Sequence, residues 1–280
     1  MSEIASQPHQ NQMSGKKPTL LFLHGSMHTG QVWERVVPLL EARGYARCLT
    51  PQLCFCGTAE PVPSIAPCVA QVRALIADEI EAGRDVILIN HSFAGIVGCS
   101  AVNGFTSTTT SPEDIGRVIG IIMLSAFAIP SNTSALDFIR AFGGMTPMAR
   151  PGPEGWDVLV KDPLDAFYHD LAPEDADLWY SRLQRQSSTT RTSAEGVYAG
   201  WKDDDVPVWF VVTRQDRCIP SVFQERMIDM MDAERMAKKP VVRRVVDSGH
   251  SPMLSQPEVT ASVIEEAAEA MVAGKPSIDS

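Results

Sequence analysis

Three residues far apart in the chain could together carry nucleophilic catalysis: Ser92, Asp216 and His250. A serine hydroxyl is a weak nucleophile until a base takes its proton. Neutral histidine does this near neutral pH when a carboxylate on its far ring nitrogen holds the tautomer. Ser92 lies in the stretch Ile89-Asn90-His91-Ser92-Phe93-Ala94-Gly95, after an apolar run and ahead of a small-residue helix start. A strand-to-helix turn of this kind lifts a hydroxyl above a sheet, beside the unpaired N–H groups of a helix start. Asn90 and Ala94 stand where a G-x-S-x-G elbow has glycines. Ala94 adds only a methyl group; Asn90 is the larger intrusion, and its amide is expected to hydrogen-bond within the loop. Read alone, Ser92 fits a helix-capping serine as well as a nucleophile.

The other two residues recur in the same context. Asp216 follows the apolar run Val206–Thr213, and His250 follows Val241–Val246 within Asp247-Ser248-Gly249-His250. Asp247 is an alternative acid, or caps the histidine loop. Leu23-His24-Gly25-Ser26-Met27 follows the first apolar run, Thr19–His24, and can aim a backbone N–H at a developing oxyanion. The expected donors are the N–H groups of Ser26 and Phe93. Gly25, Met27, His28 and Met253 are the expected substrate contacts. The His91 side chain is expected to point away from the site, as residues flanking such an elbow do.

The elements that must position these residues are legible in the hydrophobic pattern. Strands are predicted at Thr19–His24, Tyr45–Leu49, Asp85–Asn90, Val118–Leu124, Val206–Thr213 and Val241–Val246, several of them continuously apolar, as strands covered on both faces are. Helices are predicted over Val32–Ala42, Pro67–Glu81, Pro220–Met236 and Pro257–Met271. This alternation implies an α/β fold with a mostly parallel central sheet flanked by helices. Residues 131–201 break the rhythm, with helical patterns and no convincing strand, and are too long for a simple crossover. They read as an inserted helical cap over the carboxyl ends of the strands, dividing a core of 18–130 and 202–272. Its apolar residues Phe138, Phe142, Met145, Met148, Trp156 and Trp179 are expected mostly in the core. Residues 1–17 read as a disordered leader and 273–280 as a flexible tail.

Composition excludes other classes. The chain has 280 residues, net charge −10 and no basic patch, so nucleic acid and anionic membrane are poor partners. The N-terminus lacks the apolar segment of a secretory signal, and no apolar run approaches a membrane span, which makes a cytoplasmic location the expectation. The six cysteines are scattered without zinc-site spacing and read as free thiols. No cofactor or metal is implied. Nothing in the pattern decides between a monomer and a homodimer.

The chain resembles an α/β-hydrolase of the group that holds plant methylesterases, such as the salicylate-binding esterases, and the related hydroxynitrile lyases. The resemblance spans residues 18–272 and rests on LFLHGSMHTGQVW, INHSFAGIVG, FYHDLAPEDADLWYSRLQRQS, VTRQDRCIP and SGHSPMLSQPE. It implies an α/β-hydrolase fold with Ser92 as nucleophile, His250 as general base and then acid, and Asp216 as the orienting carboxylate. The lyases of this group typically carry Lys directly after the catalytic His and Thr after the His of the first-strand loop. Here Ser251 and Gly25 stand there, which favours the esterase side: hydrolysis of a small-to-medium apolar ester or lactone through an acyl-enzyme on Ser92. Two alternatives stay open, a lyase or cyclase using the same residues for proton transfer, and a ligand-binding protein with a vestigial site.

Overall fold

The computed structural model describes residues 17–106, 116–235 and 239–274. The expected leader, apart from Lys17, and the expected tail, apart from Ala273 and Gly274, lie outside the described residues.

Strand β1 (Thr19–Leu23) is buried throughout and leads through a 3-10 turn at Gly30–Trp33 into α1 (Val37–Ala42). The helix expected over Val32–Ala42 divides here because Pro38 has no N–H to donate and suits only a first turn. Next come β2 (Cys48–Leu49), shorter than expected, and α2 (Ala66–Glu81). β3 (Val86–His91), α3 (Ala94–Ala101) and β4 (Val118–Leu124) complete the first half. Residues 131–201 hold α4 (Ala135–Phe142), β5 (Ala149–Pro151), β6 (Asp157–Leu159), α5 (Pro163–Tyr168), α6 (Pro173–Ser181) and α7 (Thr189–Thr192). The chain then returns through β7 (Val208–Thr213), α8 (Ser221–Glu234), β8 (Val242–Val246), α9 (Pro252–Ser255) and α10 (Pro257–Ala273).

Six strands form one parallel sheet in the order β2-β1-β3-β4-β7-β8. Every residue of β1, β3 and β7 is buried, the consequence of helices on both faces. Register carries the site: Leu23 pairs with Asn90, His91 with Leu124, Leu124 with Val211, and Thr213 with Val246. The loops after β1, β3, β7 and β8 therefore emerge at one edge.

The segment 131–201 differs from expectation in one respect. β5 and β6 pair antiparallel, Ala149 with Leu159, around a turn in which Glu154 (φ 57°) and Gly155 (φ 80°) take left-handed backbone. Three-residue strands, one of them ending in proline, are too short to show alternation. Phe138, Met148, Trp156 and Trp179 are buried, and Phe142 and Met145 pack partly buried against the core. No described helix is long and apolar enough to cross a membrane.

Candidate active site

At the end of β3 the chain reverses through Ser92, whose backbone adopts a left-handed φ of 55°. A non-glycine residue holds that strained conformation only when its surroundings enforce it. They do: Ser92 N–H donates to Leu124 C=O at 3.2 Å, and Ser92 C=O accepts from Gly95 and Phe127, both at 3.0 Å. The first-strand loop presses onto this turn. A Cβ on Gly25 would lie 2.9 Å from both His91 Nδ1 and Ser92 Cβ, so the close approach requires glycine.

Three side chains from three strand ends meet here. His250 Nε2 lies 3.0 Å from Ser92 Oγ, and His250 Nδ1 lies 2.8 Å from Asp216 Oδ2. The Asp216 carboxylate is saturated. Oδ1 accepts from the Cys218 and Ile219 N–H groups at 2.8 and 2.7 Å, and Oδ2 also accepts from Thr213 Oγ1 and the Gln224 amide. With its other acceptor positions engaged, Asp216 takes the Nδ1–H, which leaves the Nε2 lone pair facing Ser92. Burial opposes charging His250, but the Asp216 carboxylate and the Cys218 side chain together outweigh it and raise the imidazole pKa above its ordinary value. Asp247, the alternative acid, is exposed and accepts from the Gln215 amide instead.

Three further buried histidines surround this one, and each is held neutral. His24 accepts the Leu53 N–H on Nε2 and donates from Nδ1 to Gly25 C=O; burial lowers its pKa to about 4. His28 donates from Nδ1 to Ser26 C=O at 2.7 Å and accepts the Tyr168 hydroxyl on Nε2 at 2.8 Å; burial lowers its pKa to about 3. His91 donates from Nε2 to His250 C=O at 2.9 Å, its Nδ1 has no partner, and burial followed by His250 lowers its pKa. Its ring lies 4.8 Å from the His250 ring, which corrects the expectation that it points away. The turn at Ser92 is tight enough to bring both His91 and Ser92 against the histidine loop.

Among the described residues, the N–H groups of Ser26 and Phe93 donate to no protein acceptor. Met27 follows with a left-handed φ of 62°, and its N–H donates to Gln186 Oε1 at 3.2 Å. Asn90 is fully buried, its amide 3.7 Å from Met123 Sδ and its Oδ1 without a partner. The expected hydrogen bond within the loop is therefore absent among the described residues. Space decides this placement: a Cβ on Gly98 would lie 2.1 Å from Asn90 Oδ1, so the glycine missing from the elbow has its counterpart one turn into α3.

Residues 157–191 cover the site with groups that sequence reasoning did not assign. Phe167 stacks on His250 with centroids 5.6 Å apart. Asp170 Oδ2 accepts the Gly249 N–H at 2.6 Å, and a Cβ on Gly249 would strike Asp170 and His169. Arg191 pairs with Asp157, donates to Ser26 Oγ at 3.2 Å and lies over the Phe93 ring at 5.4 Å. The stretch FYHD (167–170) stood out as a motif, but nothing local reveals partners 79 to 140 positions away. Ser92 is 3 % exposed and Met253 is fully buried.

Comparisons with known proteins agree with this architecture. The model of the "Alpha/beta hydrolase family" matches residues 20–263. "Alpha/beta hydrolase nvfD" of Aspergillus novofumigatus (strain IBT 16806) is 26% identical over 253 residues, covering 90% of this chain and 97% of that protein. "Methylesterase 1" of Arabidopsis thaliana is 24% identical over 266 residues, covering 87% and 93%. Among solved structures, a pyrethroid hydrolase from Sphingobium faniae JZ-2 superposes with a TM-score of 0.65 at 20% identity, covering 91% of this chain and 99% of that one.

Proposed function

This chain belongs to the alpha/beta hydrolase family, and from that premise we propose that it is a serine hydrolase cleaving a small-to-medium apolar carboxylic ester or lactone. The observation that carries the reading is the unbroken chain of contacts Ser92 Oγ–His250 Nε2 and His250 Nδ1–Asp216 Oδ2. Three neighbouring histidines have their ring protons committed to backbone carbonyls, and of these four only His250 is paired with a carboxylate among the described residues.

Ser92 Oγ attacks the substrate carbonyl carbon as His250 Nε2 takes its proton, and the oxyanion rests on the N–H groups of Ser26 and Phe93. Asp216 holds the tautomer and stabilises the imidazolium. The intermediate collapses as His250 returns the proton to the leaving alcohol, leaving an acyl group on Ser92. Water, deprotonated by the same imidazole, then releases the acid. Residues 131–201 serve as the cap over this edge. Met27 offers apolar surface to the substrate; Met253 is fully buried and Gly25 packs against His91 and Ser92, so these two expected contacts lie behind the site. His28 contributes ring carbon only, since both its nitrogens are engaged. The names of two similar proteins, a methylesterase and a pyrethroid hydrolase, point towards ester chemistry.

A fluorophosphonate probe tests the reading. Labelling is expected on the peptide carrying Ser92, and Ser92→Ala is expected to lower hydrolysis of 4-nitrophenyl butyrate by about 10⁴-fold or more. Undiminished turnover by Ser92→Ala would overturn the acyl-enzyme route in favour of proton-transfer chemistry.

A further inference from the structure

The loop between β2 and α2 carries a feature that the proposed reaction does not use. Cys54 Sγ and Cys68 Sγ lie 2.8 Å apart, the sulfur of a loop residue against that of a residue in the first turn of α2. The remaining four cysteines face other groups: Cys48 a backbone carbonyl at Tyr45, Cys56 the carbonyl of His28, Cys99 the thioether of Met123, and Cys218 the His250 imidazole.

The backbone around the pair is held in register. Cys54 N–H donates to Gln71 Oε1 at 3.0 Å, and the Gln71 amide donates to Gln52 C=O at 2.8 Å. One glutamine thus laces residues 52 and 54 of the loop to α2 beside the sulfurs. Closing 2.8 Å to the ~2.05 Å of a disulfide needs a shift of less than about 1 Å.

We propose that Cys54 and Cys68 are a thiol pair that closes to a reversible disulfide by exchange with a small-molecule disulfide, stapling the 52–56 loop to α2. Exposure sets the order of events: Cys54 is half-buried and Cys68 buried, so the incoming disulfide meets Cys54. Contact with Cys68 also lowers the Cys54 thiol pKa, whereas contact with Cys54 raises that of Cys68. The Cys54 thiolate attacks one sulfur of the reagent, forms a mixed disulfide and expels one thiol. Cys68, losing its proton, attacks Cys54 Sγ and expels the second thiol. Two protein thiols are oxidised and one external disulfide is reduced to two thiols.

The staple bears on the site through the loop it closes. Leu53 N–H supports His24, Cys56 Sγ lies 3.0 Å from His28 C=O, and Gly57 N–H donates to Arg185 C=O. Oxidation therefore ties the support of the Ser26 loop to a core helix.

The test uses the full chain, fully reduced and then equilibrated with oxidised glutathione. The intact mass is expected to fall by about two units, the two hydrogens lost, with a 54–68 cross-linked peptide that dithiothreitol reverses. The 15-residue closed loop is expected to raise Tm by about 5 °C. Cys54→Ser, a change at a half-buried position, is expected to keep the reduced Tm and show no oxidation-dependent rise. Six titratable thiols after treatment, a persistent glutathione adduct, or a cross-link to any other cysteine would overturn the proposal. None of these readouts depends on Ser92, so they stand apart from the test of the hydrolase reading.

Discussion

Two carboxylates buried at opposite ends of the same sheet show how a partner determines what a charge does. Asp216, at the carboxyl end, is fully buried in its side chain and pairs with His250. Glu79, beside the start of β1, is 2 % exposed in its side chain and accepts from Thr19 Oγ1, Arg47 and Arg84 at 2.6 to 2.7 Å. Both are saturated with donors. The Arg47 guanidinium, with Arg84 and Thr19 adding to it against the opposing effect of burial, holds the Glu79 carboxyl below the usual carboxylate range. Arginine never gives up its proton, so this cluster is a permanent tie between α2, β1 and the loops around them. Imidazole does give up its proton, so the same kind of anion at Asp216 can support a group whose charge comes and goes. Burial makes both carboxylates matter, and only the second can take part in a reaction.

The sharpest way to break this contrast is Asp216→Asn. The rate is expected to fall by about 10⁴-fold at neutral pH, because the amide donates where a proton must be accepted and turns the imidazole to the wrong tautomer. The sign of the pH effect follows from the raised His250 pKa. The neutral base exists only above that pKa, so removing the carboxylate moves the acidic limb of the pH–rate profile to lower pH. A limb that stays in place would mean that Asp216 does not set the imidazole.

Glu79→Gln is the reciprocal change. Hydrolysis is expected to stay within about twofold, while urea unfolding shows a loss of about 2 kcal/mol at neutral pH, since two arginines lose a buried partner. A depressed carboxylate pKa contributes stability above the ordinary glutamate value, and that stability disappears as pH falls. The gap between wild type and variant should therefore close in acid; a gap independent of pH would show that charge is not the cause.

Asn90 supplies a third case, a buried amide oxygen with neither kind of partner. Asn90→Gly should leave hydrolysis within about threefold and cost about 1 kcal/mol, through lost packing against Gly98 and a more flexible strand end. Abolished activity in a folded Asn90→Gly variant would place Asn90 in the chemistry and favour the lyase or cyclase reading.

Much of this was legible in the chain. Continuous apolar runs marked β1, β3, β4 and β7, and those of β1, β3 and β7 are followed by loops rich in residues that can react. Ser92 and Asp216 each follow such a run, and His250 follows the mixed strand pattern VVRRVV. The hairpin of β5 and β6 was not legible, since three residues show no period. Asp170 against Gly249, Tyr168 against His28 and Arg191 against Ser26 were equally hidden, because they join segments 79 to 165 positions apart and leave no mark on local spacing.

The type of most elements, their succession along the chain and the candidates Ser92, Asp216 and His250 follow from sequence alone, because periodicity and turn chemistry are local properties. How the charge of each buried histidine is set does not. A histidine's charge depends on the water removed from it and on the groups a few ångströms away. His24, His28, His91 and His250 acquire those surroundings only when the loops after β1, β3 and β8 close on one another beneath residues 167–170.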